Sequence, residues 1–561
     1  MIELVTNLEV VSSLLNVNVK KRFLSVVLNY DGYKAVAPKI VKVGNKKFLL
    51  TRHIELGNIM AQKSIDKSLP SEFKVVFYDP YFTFEVPKVS AFPEFIDAFD
   101  EVARGEKEVA VHKDLPVLIY QLLQKKYKLV LIDEEVCDTR FIMYEFSKEE
   151  VLERFNLKRK EADKIAMNLV DRSPFKKDFE RYILNRNDLR FETLEELMEA
   201  DGLDAVLCTS PLGIQEITGH GITRHKEDES AALYIKGGRN IYFFAKQPID
   251  GYKNGREVDS FTETVDSLID GGVVGIEEQH FPVGWLKGIG FGKIDIKNSM
   301  AVIRRFRENR AWEDLSYYII AARASVYAID GALKWARDEI VNGKQITELD
   351  VEKKYEALVK DFKKNYNIPF IFNTFWTNCH AGDRSLHPSL ATNYLLNKNT
   401  KTLKLDACIS IIGDNGTHHA ASDIARTLIF EEEVQKAYEK FENYLLMDVI
   451  PNIKPGMAGK DIYNLAVSRV EKEKNFFKVI GIMPNVEKLE SIFNRDVGHL
   501  MGLQPPVTLV FNKTAEETVI EGMIASFEYQ WSIKDYSIGI EDNFIIGPSG
   551  GLNFSRDNLN L

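Results

Sequence analysis

Cysteine is scarce: four in 561 residues, Cys137, Cys208, Cys379 and Cys408, with neither metal-thiolate spacing nor a disulfide framework. No apolar run approaches the roughly 20 residues that a membrane-spanning helix needs. The opening residues, MIELVTNLEVVSSLLNVNVKK, lack the charged, apolar, small-residue order of a secretion signal. An excess of positive charge is also missing. The 73 basic and 83 acidic residues leave a formal net charge of −10 with both signs interspersed, which gives nucleic-acid binding no electrostatic footing. Glycine and proline are too thinly spread for a long disordered linker, and no solenoid repeat or low-complexity tract occurs. These absences point to a cytoplasmic protein without membrane or nucleic-acid partners.

Enough is present for real cores: 45% of residues are hydrophobic and 28% charged, over a length that suits three or four domains. In the stretch 192–222 Leu194, Leu197 and Met198 share one helical face, followed by a Gly-Leu-Asp turn and an apolar strand. Residues 230–245 read as a hairpin turning at Gly237-Gly238, and Gly44-Asn45 marks another near the start of the chain. YKLVLIDEE from 127 echoes GGVVGIEEQ from 271, which suggests that residues 1–180 hold a degenerate copy of the unit at 181–311. The charge-rich segment 145–190 reads as a helical connector with a solvated face. Two helices are expected at 312–340 and 347–366, the second opening on a capping box of Thr347 and Asp350. The short basic run from 397, NKNTKTLK, reads as a solvated loop leading into a strand.

Four acids lie one apiece in apolar, strand-like segments of the last third. These are LKLDACISII around Asp406, AASDIARTLIF around Asp423, MIASFEYQWSI around Glu528 and SIGIEDNFII around Glu541. An unpaired buried charge costs several kcal/mol. Only one arginine, Arg426, falls in these segments, so ion pairs cannot settle all four. A cluster of divalent cations can, because hard cations take oxygen ligands and offset the desolvation. His499, in RDVGHLMGLQPPV between the second and third acids, adds an imidazole.

In order, these segments resemble the metal-binding motifs of the pita-bread metallopeptidases, a family that includes methionine aminopeptidase, aminopeptidase P and prolidase. LKLDACI is similar to the first-Asp strand, SDIARTL to the SDITRTF-like second, DVGHLMGL to the Gly-His-x-x-Gly-Leu turn, and MIASFEYQW and IGIEDNFII to the two Glu strands. The resemblance implies an α+β chain. Its C-terminal catalytic domain (312–561) would be a curved antiparallel sheet covered by helices. Two creatinase-N-like α/β domains (1–180 and 181–311) would precede it, as in three-domain aminopeptidase P. It further implies two divalent ions (Mn²⁺, Co²⁺ or Zn²⁺) held by Asp406, Asp423, His499, Glu528 and Glu541, with a hydroxide between them attacking a scissile amide. Glu528 would carry the proton to the leaving nitrogen, and His387, 19 residues before Asp406, would hydrogen-bond the substrate, with His380 as its competitor. The implied protein is a homodimeric Xaa-Pro-type aminopeptidase or dipeptidase acting on a peptide or small amide. A hydrolase of a small non-peptide amide or C–N bond, and a non-catalytic binding protein on the same scaffold, are the alternatives.

Several positions depart from the family pattern. Pro506 stands where a second His is usual, Gly539 where relatives often have Arg, and Arg495 where aminopeptidase P has His. Asp406 and Asp423 are 17 apart because of the insert GDNGTHHAAS. Its His418 and His419 either replace the lost imidazole or form a polar hairpin tip, since Asp-Asn-Gly is a turn sequence.

Overall fold

The computed structural model describes residues 2–17, 21–28, 34–67, 69, 73–80, 89–132, 140–187, 189–221, 230–286, 288–289, 294–479, 496–501, 508–533 and 535–557. Three sheets organise them. The first holds β1 (Ile2–Val5), β2 (Lys39–Val43), β3 (Lys46–Arg52), β4 (Lys74–Tyr78), β5 (Ala91–Phe92), β6 (Glu108–Val111) and β7 (Lys128–Leu131), in the order β5-β4-β3-β2-β1-β6-β7. The second holds β8 (Phe141–Ser147), β9 (Ala205–Cys208), β10 (Ser230–Ile235), β11 (Asn240–Ala245), β12 (Arg256–Val258), β13 (Gly272–Ile276) and β14 (Ile294–Asn298). Its order is β12-β8-β11-β10-β9-β13-β14. The expected hairpins are there: β2–β3 turns at Gly44 and β10–β11 at Gly237, both with the positive φ that glycine accepts without strain.

The two sheets are copies at their centres. β3-β2-β1-β6-β7 recurs as β11-β10-β9-β13-β14, each with one antiparallel hairpin and a parallel pair beyond it. Topology therefore matches β7 to β14, whereas the sequence echo had matched it to β13; short apolar strands running into acidic turns look alike wherever they stand. The copies also meet at equivalent segments, Leu115-Pro116-Val117 and Phe281-Pro282-Val283. Val117 N–H donates to Phe281 O at 3.0 Å and Val283 N–H to Leu115 O at 2.8 Å, a local two-fold relation. Sheet membership divides the units between β7 and β8. The second sheet thus begins well before the expected boundary at 180, because β8 pairs along its length with β11.

The connector is more than a solvated spacer. Helices Arg159–Leu169 and Lys176–Leu184 bury Ala162, Ala166, Leu169, Phe179, Tyr182 and Ile183 in the core of the third unit, against the long helix Leu315–Val341. Most of their charge lies on the outer faces, but Arg159 donates to Asp314 Oδ1 at 3.0 Å and Asp163 accepts from Ser316 Oγ–H at 2.6 Å, tying the helices to the start of the long one.

The third unit contains a two-residue pairing of β15 (Ile346–Thr347) with β17 (Leu395–Leu396) and an eight-stranded antiparallel sheet. That sheet comprises β16 (Ile371–Ala381), β18 (Thr402–Ile412), β19 (His418–Ala421), β20 (Ile424–Ile429), β21 (Gly498–Leu500), β22 (Ile524–Ile533), β23 (Tyr536–Ile546) and β24 (Gly551–Asn553). The main path is β16-β18-β20-β23-β22-β21. The second expected helix, Glu348–Asn365, opens on the Thr347–Asp350 capping box. Alternation along the strands sorts the residues. Leu403, Leu405, Ala407 and Ile409 of β18 pack under helices Leu315–Val341 and Glu348–Asn365, and Phe527, Tyr529, Ile538 and Ile540 of β22 and β23 pack under helices Glu432–Asn443 and Gly459–Lys472. The opposite parity faces away from the helices.

A candidate metal centre on the uncovered face

The uncovered parity carries the acids. Asp406 pairs with Ala425, Ala425 with Glu541, and Glu541 with Glu528, so one cross-strand row over β18, β20, β23 and β22 holds three carboxylates on one face. Ala425 sets a methyl group where any longer side chain would fill the space between Asp406 and Glu541. Asp423 lies two residues before Ala425 on the same parity, in the break between β19 and β20. His499 comes from β21, paired with Ser526.

Ligand atoms of Asp423, His499 and Glu541 all lie within 4.8 Å of one another. His499 Nε2 is 3.4 Å from Asp423 Oδ2, while Nδ1–H donates to Leu500 O at 2.9 Å, which fixes the tautomer with Nε2 toward the carboxylates. Burial alone would lower the His499 pKa. The Asp423 carboxylate, the Leu500 carbonyl and Glu528 override it and hold the imidazolium up to about 9. Burial, then the charges of Asp423, Glu528 and Asp406, push the Glu541 carboxyl well above its ordinary range. Crowded acids with one raised imidazole form a site that lacks positive charge, and oxygen donors beside one imidazole suit a borderline divalent cation.

Neighbours two residues along each strand support the acids, and sequence reasoning passed over them. Ser526 Oγ–H donates to Glu541 Oε1 at 2.7 Å, and Cys408 Sγ–H to Asp423 Oδ1 at 3.3 Å. The Asn543 side chain closes the strand break, accepting from Asp423 N–H at 3.0 Å and donating to Asp423 O at 2.9 Å. All three share the parity of the acid beside them, and that period of two was the available signal. Arg426, of the opposite parity, donates to Asp542 at 2.7 Å, so it does not serve the four acids.

The loop of His387 is tied to His380. The His380 Nδ1–H donates to His387 O at 2.6 Å and to Arg384 O at 3.2 Å, making His380 a fully buried prop for the loop. Burial, with the positive charges of His53 and Arg384, lowers the His387 pKa to about 4, so its ring is neutral. The first α/β unit packs on this loop. A Cβ at Gly57 would overlap the Pro388 carbonyl and lie 2.9 Å from His387 Cβ, and Leu390 N–H donates to Asn58 Oδ1 at 3.2 Å.

The insert is neither a solvated tip nor a replacement imidazole at the acids. Gly413 N–H donates to Thr417 O at 2.8 Å, closing the expected turn, but the turn docks on the second unit. Gln215 exchanges hydrogen bonds with the His418 backbone at 2.9 and 3.1 Å. His419 stacks on Tyr317 with centroids 4.0 Å apart. The basic run also ends differently from expectation: Lys404, its last residue, lies inside β18 and is only 4% exposed. A Cβ at Gly539 would overlap Gln530 Oε1 and lie 2.9 Å from Lys404 Cδ, so the ends of these two side chains occupy the space beside the position where relatives often carry Arg. Pro506 and Arg495 lie outside the described residues. Cys208, Cys379 and Cys408 are buried free thiols, while Cys137 lies outside the described residues. No helix among the described residues is long and apolar enough to cross a membrane.

The model of metallopeptidase family M24 matches residues 317–548. A search of curated proteins finds no match. Among solved structures, the chain is similar to X-prolyl aminopeptidase from Caenorhabditis elegans, described as a cytosolic enzyme with a di-nuclear active site. That likeness has a TM-score of 0.58 at 11% identity and covers 97% of this chain and 83% of that one. Dipeptidase PepE from Mycobacterium ulcerans gives a TM-score of 0.50 at 15% identity, covering 67% of this chain and 99% of the other. The N-terminal domain of FACT complex subunit SPT16 from chickpea, Cicer arietinum, also gives 0.50 at 15%, over 66% and 95%. At these identities the structures speak for the fold, and the family match speaks for the domain that carries the carboxylate row: residues 317–548 match metallopeptidase family M24, a family of peptidase-type hydrolases.

Proposed function

We propose that the chain is a dinuclear metal-dependent peptidase that cleaves an amide near a peptide N-terminus, with Xaa-Pro peptides as its substrates. One observation carries the reading: Asp406, Glu541 and Glu528 share a cross-strand row, and Asp423 and His499 converge on Glu541 within 4.8 Å. Asp423 and Glu541 would bridge two divalent ions, Asp406 completing one site and His499 with Glu528 the other. Bound there, such ions supply an activated water near neutral pH and polarise the scissile carbonyl. Glu528 accepts the proton of the attacking water and delivers it to the leaving nitrogen. His387, neutral at pH 7, donates a hydrogen bond to the carbonyl oxygen as negative charge gathers on it. The protein is further read as a cytoplasmic homodimer, on family resemblance.

Metal analysis of protein loaded with Mn²⁺, Co²⁺ or Zn²⁺, followed by a panel of Xaa-Pro peptides, other dipeptides and small amides, tests this reading. Two ions per chain with turnover of Xaa-Pro substrates are expected. Trace binding would remove the dinuclear reading. Turnover of small amides alone would instead favour the non-peptide alternative.

A further inference from the structure

Next to the carboxylate row runs a second row on the same face, two residues along each strand: Lys404, Thr427, Gly539 and Gln530. Thr427 and Gly539 are tied together, Gly539 N–H donating to Thr427 Oγ1 at 2.8 Å and Thr427 Oγ1–H to Gly539 O at 2.9 Å. Over this low saddle Lys404 Nζ donates to Gln530 Oε1 at 2.7 Å, spanning two intervening strands. That bond fixes which way the amide points. Gln530 Nε2 is then a buried donor that has no partner among the described residues, and a buried donor of this kind costs free energy until something accepts from it. An ammonium and an unmet N–H together ask for an anion. Nothing in the metal-holding role employs either.

We infer that Lys404 and Gln530 form a subsite for the C-terminal carboxylate of the substrate, which makes dipeptides the substrate class; the inference rests on the peptidase reading above. Spacing decides the class. Two residues along antiparallel strands separate the rows by about 7 Å. One residue of extended chain, about 3.5 Å, and a charge-assisted hydrogen bond of about 2.8 Å fill that gap, whereas two residues overshoot it. Sign decides the end of the peptide: an N-terminal ammonium would be repelled by Lys404 and offered a donor by Gln530.

The test uses the full chain with Mn²⁺ and a dipeptide whose scissile amide is replaced by CH₂–NH, as the free acid and as the C-terminal carboxamide. Calorimetry should give the acid an affinity about tenfold to a hundredfold above the carboxamide, as a hydrogen bond to a charged group implies. The gap should close in Lys404→Met and in Gln530→Glu, which sets a carboxylate against Lys404; melting curves check that each variant is folded. Equal binding of acid and carboxamide by the parent, or no binding of either, overturns the subsite, and so does an acid preference that survives in both variants. Hydrolysis of the ordinary dipeptide and its carboxamide is measured alongside. A parent that prefers the acid form of the probe yet cleaves no peptide sinks the peptidase reading and leaves the subsite standing.

Discussion

Glu528 and Glu541 stand directly opposite each other on β22 and β23, with their side chains on the same face of the sheet. Opposed residues in an antiparallel pair have Cβ atoms about 4.5–5.5 Å apart, and like charges so placed repel. Asp423 and Asp406 add to the same field at Glu541. Such a row folds at the expense of stability and regains it from a cation.

Glu541→Gln removes the cost of either ionising or protonating that carboxyl within the crowd, without changing its shape. The metal-free variant should melt about 2–4 °C above the parent, the shift expected for roughly 1 kcal/mol in a domain of this size. The stabilisation that added Mn²⁺ gives the parent should largely vanish. Melting curves with chelator and with Mn²⁺ read both effects, and a variant that matches the parent in both conditions contradicts the shared-charge account.

Metal affinity should rise with pH. In the metal-free chain His499 is held at about 9, above its ordinary 6.5, and Glu541 is also raised. A group raised on folding stabilises fully below its unfolded pKa, and that contribution is lost as pH climbs through the folded value. The metal-free protein therefore loses stability from His499 between about pH 6.5 and 9. A cation needs both groups deprotonated, so its affinity gains over the same window and its binding releases protons. Calorimetric titrations in buffers of different ionisation enthalpy should show that release; binding enthalpies that do not vary with buffer would argue against it.

Two histidines should separate catalysis from stability. His387→Ala should lower kcat by about 10²–10³ with metal occupancy nearly intact, the usual cost of losing an oriented donor to a developing oxyanion. His419→Ala should leave kcat close to the parent but cost about 2–4 kcal/mol of stability, because it opens a cavity beneath Tyr317. Steady-state kinetics, metal analysis and denaturant melts on the pair suffice. Unchanged turnover in His387→Ala would remove it from the site.

Gly57→Ala should loosen the first unit from the His387 loop. Its Cβ meets the Pro388 carbonyl, a backbone atom that cannot rotate away. Overpacking of this kind costs about 1–3 kcal/mol, and the displaced loop carries His387, so kcat should fall as well. A variant with parent-like melting and kinetics would show that the contact yields freely.

That the four acids share one face was legible because strands made of buried apolar residues leave an isolated acid no place among the core side chains, whereas His499 was noticed through its motif. The capping box at Thr347 and the two glycine hairpins were legible for local reasons. Other features needed the third dimension. Lys404 was read with the lysines before it, although it stands two residues before Asp406 and so shares its face. His419 looked like part of a turn because its partner, Tyr317, is a hundred residues away in sequence. The boundary at 180 followed the charge-rich stretch, whereas β8 answers to a pairing partner, β11, that charge does not reveal. Gly57 gave no local sign at all, since what requires it is the carbonyl of Pro388.

The mutual pairing of Leu115-Pro116-Val117 with Phe281-Pro282-Val283 has a thermodynamic consequence. Two like units joined through a two-fold contact would, as separate molecules, part on dilution. Carried on one chain, they meet as an intramolecular pair whose effective concentration dilution does not change. The first unit is thus presented to the His387 loop at a local strength independent of how much protein is in solution.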